Sequence, residues 1–472
     1  MSLNKGAKVL SGAVSGRKDM KICVNSQTPF IRFKLRYDEL LEKYGSLSDP
    51  INIKELEEGV DYDYSPGGVT ATIYPSVKKL MQQGFLTNVV WVSLGVNYPP
   101  RVITDGILIS HVEIGERDLR EYTTFKEGLW SEIHGLGNPG FTLNGFRAYA
   151  RYNWANAERM FDHISDTDVF YVQDFQQLLT GSLIGPPAPA VLRWHIPYSP
   201  DNMGPFTRRF VVRTMEGFDV VVVSTRRDLE GLIRSEYRGK AYQLYPYIDP
   251  DDWAQQPGSD ATDRLVENVK LKKDEDLVLV VARMDRIKSQ DVAIRATAEV
   301  LKRRKVKLVL IGNGSFSSSK RGGLGHGKGA SWRAELEQMV RDLKLEESVT
   351  FLGHASREEL KAAYNLSSVV LLTSRLEGFG ITVLEGWMHR KPVVVSTGAG
   401  VSELVVNGSN GYTFPSGDAD SAAEALMKAL GADADKLGDY GYETSKQCHI
   451  DVAIKREKEI LEEASKAFRL RE

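Results

Sequence analysis

The stretch VVLLTSRLEGFGITVLEGWMHRKPVVVS (369–396) contains the repeating unit of the fold: an apolar run, a glycine-rich loop, a helical segment and a second apolar run. VVLLTS predicts one strand and KPVVVS (391–396) predicts the next. Between them a helix can begin around Gly380 and continue to Arg390, before Pro392 stops it. Strands joined by a helix in this way are typical of a parallel sheet.

Similar apolar runs recur along the chain and alternate with helical segments: VVWVSLGV (89–96), VFYVQD (169–174), AVLRWHI (190–196), VVVVS (220–224), LVLVVARM (277–284), VKLVLIG (306–312) and SVTFLGH (348–354). Continuous apolar strands alternating with helices predict parallel sheets covered on both faces, which is the α/β class. The 472 residues are enough for two or three domains. A composition break at DPDDWAQQPGSDATD (249–263) predicts a linker between two of them.

The predicted organisation follows from that break. A tag or flexible arm is expected at 1–19, a Rossmann-like domain at 20–248, the linker at 249–264 and a second Rossmann-like domain at 265–445. The charged amphipathic segment at 446–472 predicts a C-terminal helix, with packing back on the first domain left open. Parallel sheets bind ligands at the carboxyl ends of their strands, so a cleft between the two domains is the expected site.

Composition and charge narrow the class of partner. The 61 basic and 63 acidic residues leave a formal charge of −2, so no global field attracts nucleic acid or anionic lipid. Only Cys23 and Cys448 are present, which fits a reducing compartment and predicts a cytoplasmic enzyme. Neither a membrane-spanning apolar run nor a metal-binding motif is found in the sequence. Small molecules are the expected partners, and a homo-oligomer stays open.

The glycine-rich loop of the opening stretch has the features of a sugar-nucleotide site. Its glycines let the backbone approach a ligand closely, and the free N–H groups at the helix start can bind phosphate. Glu377 in the loop and Glu385 in the helix can accept hydrogen bonds from sugar hydroxyls. The alternative, a helix-capping Glu377 and a solvated Glu385, remains open. The predicted site comprises Glu377, Gly378, Phe379, Gly380, Ile381, Thr382 and Glu385.

Two cations follow another predicted strand, within ARMDRIKSQD (282–291). Arg283 and Lys288 lie where they could neutralise a diphosphate. The segments RMDRIKSQDVAIRA, IGNGS, SRLEGFGITVLEGW and KPVVVSTGAGVSELVVNGSNGYTFPSGD, in this order, resemble the donor-binding domain of retaining glycosyltransferases of the GT-B fold, family 4 in particular. The resemblance covers most of residues 270–430, although the usual Gly-Gly-Ile-Pro-Glu turn reads GAGVSE (398–403) here.

That resemblance implies a fold of two Rossmann-like domains facing each other across a cleft, and a role for each residue of the predicted donor site. Arg283 and Lys288 would bind the diphosphate of the donor. Glu377 would bind the hexose hydroxyls and Glu385 the ribose, while the backbone at Phe379 and Gly380 would contact the hexose.

The first half of the chain carries a different likeness. YDYSPGGVTATI (62–73), YTTFKEGLWSEIHGL (122–136), VFYVQDFQQLL (169–179) and RWHIPYSP (193–200) resemble, in order, segments of trehalose-6-phosphate synthases of family 20. The resemblance implies that Gly67 and Gly68 approach the donor phosphates, that Tyr122 and Trp130 bound the acceptor pocket, and that Asp174 binds the acceptor and His195 the donor hexose. A core position for His195 or Trp130 is the alternative reading.

One departure from those synthases affects the acceptor. Where they carry an arginine for the acceptor phosphate, VNSQTP (24–29) has Gln27. Arg321, in the insertion SFSSSKRGGLGHGKGAS (315–331), is the predicted substitute cation, unless this insertion is only a solvated loop. GGLGHGKG (322–329) nearly matches the phosphate loop of NTPases, but it lacks the final hydroxyl residue and lies far from its strand, which argues against an NTPase.

These likenesses together imply a retaining, metal-independent transfer of a hexose, with glucose the leading candidate. The donor would be a UDP-, ADP- or GDP-linked hexose and the acceptor a small sugar or sugar phosphate, with a trehalose-forming or trehalose-6-phosphate-forming reaction first. No cofactor beyond this substrate is expected. A disaccharide phosphorylase and a nucleotide-sugar epimerase are the alternatives. The predicted catalytic group is Asp174, His195, Arg283, Lys288 and Glu377.

Overall fold

The computed structural model describes residues 19–64, 68–137, 140–185, 187–312 and 326–469. The first large sheet contains β1 (Met20–Ser26), β3 (Ile51–Asn52), β5 (Leu86–Leu94), β6 (Arg101–Thr104), β7 (Ile107–Val112), β8 (Val169–Gln173), β9 (Ala190–Arg193), β10 (Val220–Val223) and β11 (Lys240–Gln243). The second contains β12 (Asp276–Val281), β13 (Val306–Ile311), β14 (Val349–Gly353), β15 (Val369–Leu372), β16 (Val393–Ser396) and β17 (Tyr412–Phe414). β2 (Ile31–Phe33) and β4 (Tyr62–Tyr64) form a short antiparallel pair.

Helices connect these strands and cover the sheets. Those of the first half are α1 (Tyr37–Tyr44), α2 (Gly68–Gln82), α3 (Glu116–Ile133), α4 (Leu143–Phe161), α5 (Thr180–Ile184), α6 (Pro205–Met215) and α7 (Arg226–Arg234). Those of the second half are α8 (Pro250–Ala254), α9 (Ser259–Val269), α10 (Gln290–Leu301), α11 (His326–Asp342), α12 (Arg357–Leu366), α13 (Ile381–Met388), α14 (Ala419–Gly431), α15 (Ala434–Ser445) and α16 (Ile450–Arg469).

The first sheet has the strand order β11-β10-β9-β8-β1-β5-β7-β6-β3. Neighbours from β11 to β7 pair in parallel, which confirms the α/β prediction. One edge departs from it, because β6 runs antiparallel to β7. Asp105 and Gly106 join these two strands with φ of +49° and +78°. Two residues of positive φ are typical of tight hairpins, so this edge is a local turn and not a crossover.

The second sheet is parallel throughout, in the order β14-β13-β12-β15-β16-β17. The unit predicted at 369–396 is β15, α13 and β16, with Val370 opposite Val393 in the parallel ladder. The helix ends at Met388, slightly before the predicted Arg390. Arg390 has φ of +52°, which the helix cannot continue through.

Both faces of the central strands are buried in each sheet, which explains why these strands are continuously apolar. In β1, Ile22 and Val24 belong to one core cluster and Cys23 to the cluster on the opposite face. In β12, Val278 and Leu279 divide in the same way between two clusters. Side chains of successive strand residues point to opposite faces, so a strand covered on both sides needs apolar residues at every position.

The C-terminal helix α16 packs on the first sheet. Ile454 and Leu461 belong to the core cluster that contains Ile22. Arg193 Nη1 lies 3.1 Å from Glu457 Oε1, and the two side chains are only 2% and 3% exposed. This contact joins the end of the chain to the carboxyl end of β9. Most of the predicted N-terminal arm lies outside the described residues, and the predicted domain boundaries stay a prediction.

Candidate functional site

The loop of residues 374–380, which we call the Glu377 loop, connects β15 to α13. Gly380 is the N-cap of α13 and adopts φ of +111°, a conformation that glycine reaches without strain. It provides no side-chain capping bond, and the first turn of α13 contains no acidic residue. The peptide N–H groups at this helix start are therefore suited to an anionic group.

Glu377 is an ionised carboxylate in this loop. Lys288 Nζ donates a hydrogen bond to Glu377 Oε2, and Ser374 Oγ donates to the same oxygen at 3.1 Å. The Lys288 and Glu377 side chains are 14% and 22% exposed. Burial favours the neutral acid, but the charge and hydrogen bond of Lys288 together with Ser374 outweigh it, so the pKa of Glu377 lies below its ordinary value.

Arg283 lies near the same carboxylate. It follows the end of β12, and its carbonyl oxygen accepts a hydrogen bond from Gln290 Nε2 at 2.6 Å. The positive charge of Arg283 also lowers the pKa of Glu377. The structure thus brings Arg283, Lys288 and Glu377 together at the carboxyl ends of adjacent strands β12 and β15.

His195 follows β9 of the first sheet, and its backbone contacts the Glu377 loop. A β-carbon on Gly378 would lie 2.4 Å from the carbonyl oxygen of His195, so only glycine fits here. His195 Nε2 lies 3.0 Å from Gln173 Oε1, an oxygen that can only accept, and this assigns the proton to Nε2 and leaves Nδ1 as an acceptor. Burial, and then the charge of Arg193, hold the pKa of His195 well below its ordinary value, so the ring is neutral.

Asp174 supports the turn that carries His195. It follows β8 with φ of +69°, and its Oδ1 accepts a hydrogen bond from the His195 peptide N–H at 3.2 Å. Burial raises the pKa of Asp174 to about 7, although hydrogen bonds from the backbone of His195, Phe175 and Ile196 act in the opposite direction. With 4% of its surface exposed, Asp174 is a positioning group for His195 in this state. Its contact with an acceptor stays a prediction.

Trp130 and His134 lie together at the end of α3, and His134 is close enough to Glu377 and Lys288 for their charges to affect it. The two rings stack with centroids 4.0 Å apart, and His134 Nδ1 lies 2.8 Å from the Trp130 carbonyl oxygen. Burial lowers the pKa of His134 to about 4, and the charges of Glu377 and Lys288 also act on it, which places it near that pair. The sequence pattern singles out Trp130 but not His134, although both belong to YTTFKEGLWSEIHGL one helical turn apart.

Glu385 lies on the same helix as the loop's anion-binding start. Tyr364 donates its hydroxyl hydrogen to Glu385 Oε2. Burial raises the pKa of Glu385, although the hydrogen bond from Tyr364 lowers it. The solvated surface position considered for Glu385 is therefore wrong, since its carboxyl group is half-buried and bonded. Its predicted contact with a ribose stays a prediction.

Several other predicted residues lie apart from this group or outside the described residues. Tyr122 is 0% exposed and packs at a tilted angle against Tyr152, at a centroid distance of 4.2 Å, in the core that covers one face of the first sheet. Its ring therefore does not line an open pocket in this structure. Gly68 begins α2 with φ of +55°. Gly67 and Arg321 lie outside the described residues.

Two residues that the sequence pattern does not single out join the halves of the molecule. Arg227, near the start of α7, donates from Nη1 to the Thr397 carbonyl oxygen at 2.9 Å and from Nη2 to that of Gly398 at 3.3 Å. In return, Glu403 accepts hydrogen bonds from the peptide N–H of Arg226 at 3.1 Å and of Arg227 at 3.4 Å. Arg227 is an ordinary surface charge in sequence, and Glu403 ends the GAGVSE turn, but only the tertiary contacts show that each bonds to the backbone of the other half.

The described part of the chain contains neither a metal-binding cluster nor a membrane-spanning helix. No group of three His, Cys, Asp or Glu side chains is arranged to bind a metal ion among these residues. None of the helices in the described ranges is both long and apolar enough to traverse a bilayer.

Part of the chain matches a known family of proteins. Residues 262–446 match the family described as glycosyl transferases group 1. A D-inositol 3-phosphate glycosyltransferase of Corynebacterium aurimucosum is 27% identical over 230 residues, which are 47% of this chain and 51% of that protein. The chain therefore spans about half the length of this curated relative.

Solved structures match over nearly the whole chain. A trehalose-6-phosphate synthase superposes with a TM-score of 0.72 at 16% identity, covering 93% of this chain and 98% of that one. The HepE protein of Anabaena, in complex with UDP, superposes with a TM-score of 0.62 at 17% identity, covering 94% and 99%. At identities this low, the structural matches show only the fold. They confirm the predicted GT-B fold. The chain thus has the GT-B fold, and its residues 262–446 are similar to the glycosyl transferases group 1 family.

Proposed function

We propose that this protein is a retaining glycosyltransferase that transfers a hexose, with glucose first, from a nucleoside diphosphate to a hydroxyl group of a small sugar or sugar phosphate. The observation that carries the proposal is the ionised Glu377, paired with Lys288 beside the uncapped start of α13. The backbone carbonyl of His195, which follows β9, contacts the same loop, and His134, which follows α3, lies near Glu377 and Lys288. This combination suits a ligand that has both phosphates and hydroxyl groups.

In this proposal the donor lies along the carboxyl ends of β12 and β15. Arg283, Lys288 and the amides at the start of α13 bind the diphosphate. Glu377 accepts hydrogen bonds from the hexose hydroxyls, and the lone pair on His195 Nδ1 can accept another. Glu385 binds the ribose through Oε1, because Tyr364 engages its other oxygen. The UDP in the HepE structure, a protein of the same fold, supports a nucleotide ligand.

The reaction breaks the bond between the hexose C1 and the diphosphate oxygen and forms a new bond from C1 to the acceptor oxygen on the same face. The cations and helix amides stabilise the negative charge that develops on the departing diphosphate. The acceptor proton passes to an oxygen of that leaving group, so no enzyme nucleophile is needed. Asp174 positions His195, and orientation of the two reactants supplies much of the rate. The proposal requires no metal ion.

The class of acceptor is proposed from the names of two similar proteins. A trehalose-6-phosphate synthase and a D-inositol 3-phosphate glycosyltransferase both carry names that imply a phosphorylated acceptor or product. We propose glucose 6-phosphate or glucose as the first acceptors to test, with trehalose or its phosphate as product. Cys23 and Cys448 are both buried free thiols, which supports a reducing, cytoplasmic location for this reaction.

The test is a matrix of purified protein with UDP-, ADP- and GDP-hexoses against glucose, glucose 6-phosphate, inositol 3-phosphate and inorganic phosphate. Nucleotide release and product mass are measured together. Acceptor-dependent formation of a disaccharide or glycoside with retained anomeric configuration is expected. Nucleotide release without any acceptor-dependent product rejects the transferase. Glu377→Gln should lower turnover roughly 100-fold or more while the melting temperature stays near wild type, and Glu335→Gln, an exposed carboxylate of α11, is the matched control.

A further inference from the structure

We infer that Arg227, on α7 of the first half of the chain, is a positioning residue for Glu377 and acts through the backbone of residues 397–400. The ligand-binding part of this inference rests on the proposed function, whereas its structural part does not. Arg227 belongs to α7, beside the first sheet, and Glu377 follows β15 of the second sheet. The connection between them consists of four hydrogen bonds.

The turn at 397–400 links Arg227 to the backbone of Glu377. The Arg227 guanidinium donates to the carbonyl oxygens of Thr397 and Gly398. The Gly398 carbonyl oxygen also accepts from the Glu377 peptide N–H at 3.1 Å, and Gly400 N–H donates to the Glu377 carbonyl oxygen at 3.1 Å. Both peptide groups of Glu377 are therefore bonded to the turn that Arg227 binds.

The turn at 397–400 is closely packed against the backbone of the Glu377 loop. A β-carbon on Gly398 would lie 2.1 Å from the carbonyl oxygen of Arg375, and one on Gly400 would lie 2.2 Å from that of Gly378. The β-carbon on Gly400 would also lie 2.6 Å from Cγ2 of Thr225, a residue of the first half of the chain. Contacts this close transmit the position of the turn directly to the Glu377 loop, because packed backbones cannot slide past each other without a cost.

Glu403 makes the contact between the two halves reciprocal. Its carboxylate accepts from two peptide N–H groups at the start of α7, where the helix dipole favours a negative charge, and Tyr245 donates its hydroxyl hydrogen to Glu403 Oε1 at 2.6 Å. A charged side chain from each half is thus bonded to the backbone of the other. This double exchange fixes the distance between α7 and the turn, and with it the position of Glu377.

The chain supplies a matched control for Arg227. Arg226 is the preceding residue of the same helix and is exposed, and its contact with Glu403 uses only the peptide N–H, which a substitution retains. Arg227→Met and Arg226→Met therefore remove the same charge and keep the same aliphatic stem. Only Arg227→Met removes the bonds to the turn.

The first measurement uses the ligand-free protein, so it does not depend on the proposed function. Amide hydrogen exchange of peptides that contain Glu377 and Gly400 should be about tenfold faster in Arg227→Met than in Arg226→Met, because loss of a charge-assisted contact shifts local opening by about one decade. Exchange in the β1 strand should be equal in both variants. Equal exchange around Glu377 in both variants overturns the inference.

The second measurement separates hexose binding from phosphate binding. Arg227→Met should weaken binding of the nucleoside diphosphate hexose about tenfold and leave binding of the free nucleoside diphosphate within about twofold of wild type. In a cycle with Glu377→Gln, the two losses should be strongly non-additive, since one residue acts through the other. Equal weakening of both ligands, or additive losses, overturns the inference. Failure of the wild type to bind any nucleotide sugar rejects the proposed function instead, and the hydrogen-exchange result then still decides the role of Arg227.

Discussion

Gly378 lies directly against the carbonyl oxygen of His195, with no space for a side chain between the two halves of the molecule. A β-carbon at this position would come within 2.4 Å of that oxygen. The obstacle is backbone on both sides, so it cannot rotate away as a side chain would. The Glu377 loop and the turn after β9 can therefore pack this closely only because residue 378 is glycine.

Gly378→Ala should lower kcat/KM roughly 100-fold, because a shift of about 1 Å in a positioning loop is enough for such a loss. Binding of a nucleotide sugar should weaken as well. Gly431→Ala is the control, since it lies at the end of α14 with nothing within 4 Å of an added β-carbon. If Gly378→Ala transfers hexose at the wild-type rate, the contact between the loop and His195 is not needed for the reaction.

The raised pKa of Asp174 predicts that the stability of the folded protein depends on pH. Burial raises its pKa in the folded protein to about 7, above its ordinary value of 3.8. A raised carboxyl pKa means that the folded state binds more protons than the unfolded state between about pH 4 and pH 7. The folded state therefore loses stability as the pH rises through this window, by an amount on the order of 4 kcal/mol.

Asp174→Asn should remove this dependence, because the amide keeps an oxygen for the His195 N–H and carries no charge. The free energy of unfolding of the variant, measured by urea denaturation, should approach or exceed that of the wild type at pH 8 and fall below it near pH 4. Parallel pH profiles for the two proteins would show that Asp174 titrates normally in the folded state.

His134 is expected to contact the acceptor through Nε2. Its Nδ1 must donate to the Trp130 carbonyl oxygen, so the neutral ring presents a lone pair on Nε2. His134→Phe keeps the stacking on Trp130 but removes that lone pair, and it should raise the KM for the acceptor about tenfold. The dissociation constant for the nucleotide sugar, measured by calorimetry, should not change. A rise in the donor constant alone would assign His134 to the donor instead.

The Glu377 loop is predictable from sequence because its determinants are local. An apolar strand, glycines at 378 and 380 and a helix with a following proline are all within one short stretch. The two cations after β12 can be placed at the same edge because adjacent parallel strands end together. The residues of the proposed donor site therefore follow from periodicity, strand ends and the residue types that bind phosphate.

The acceptor side is less predictable because burial and orientation decide it. Tyr122 and Trp130 lie on the same helix, but Tyr122 faces the aromatic core and Trp130 stacks on His134, which lies near Glu377. Helical periodicity does not tell a core face from a cleft face when both are aromatic. Arg227 and Glu403 are unpredictable for another reason, since each acts on backbone that is about 170 residues away in sequence.

The buried pair of Arg193 and Glu457 should couple the C-terminal helix to the site, because Arg193 immediately precedes Trp194 and His195. Tyr171 donates to the same Glu457 oxygen, so the charge is held by two partners within the protein. Glu457→Leu leaves Arg193 buried without its counterion and should lower the free energy of unfolding by about 3–5 kcal/mol. The double variant Arg193→Met with Glu457→Leu should recover most of that loss, since an apolar pair of similar volume often replaces a buried ion pair at little cost.

Urea denaturation of the single and double variants measures both effects. Lys240→Met is the control: it removes an exposed ion pair with Glu463 of α16 and should change the free energy of unfolding by less than about 1 kcal/mol. Losses that simply add in the double variant would mean that the two side chains stabilise the helix independently and not as a pair.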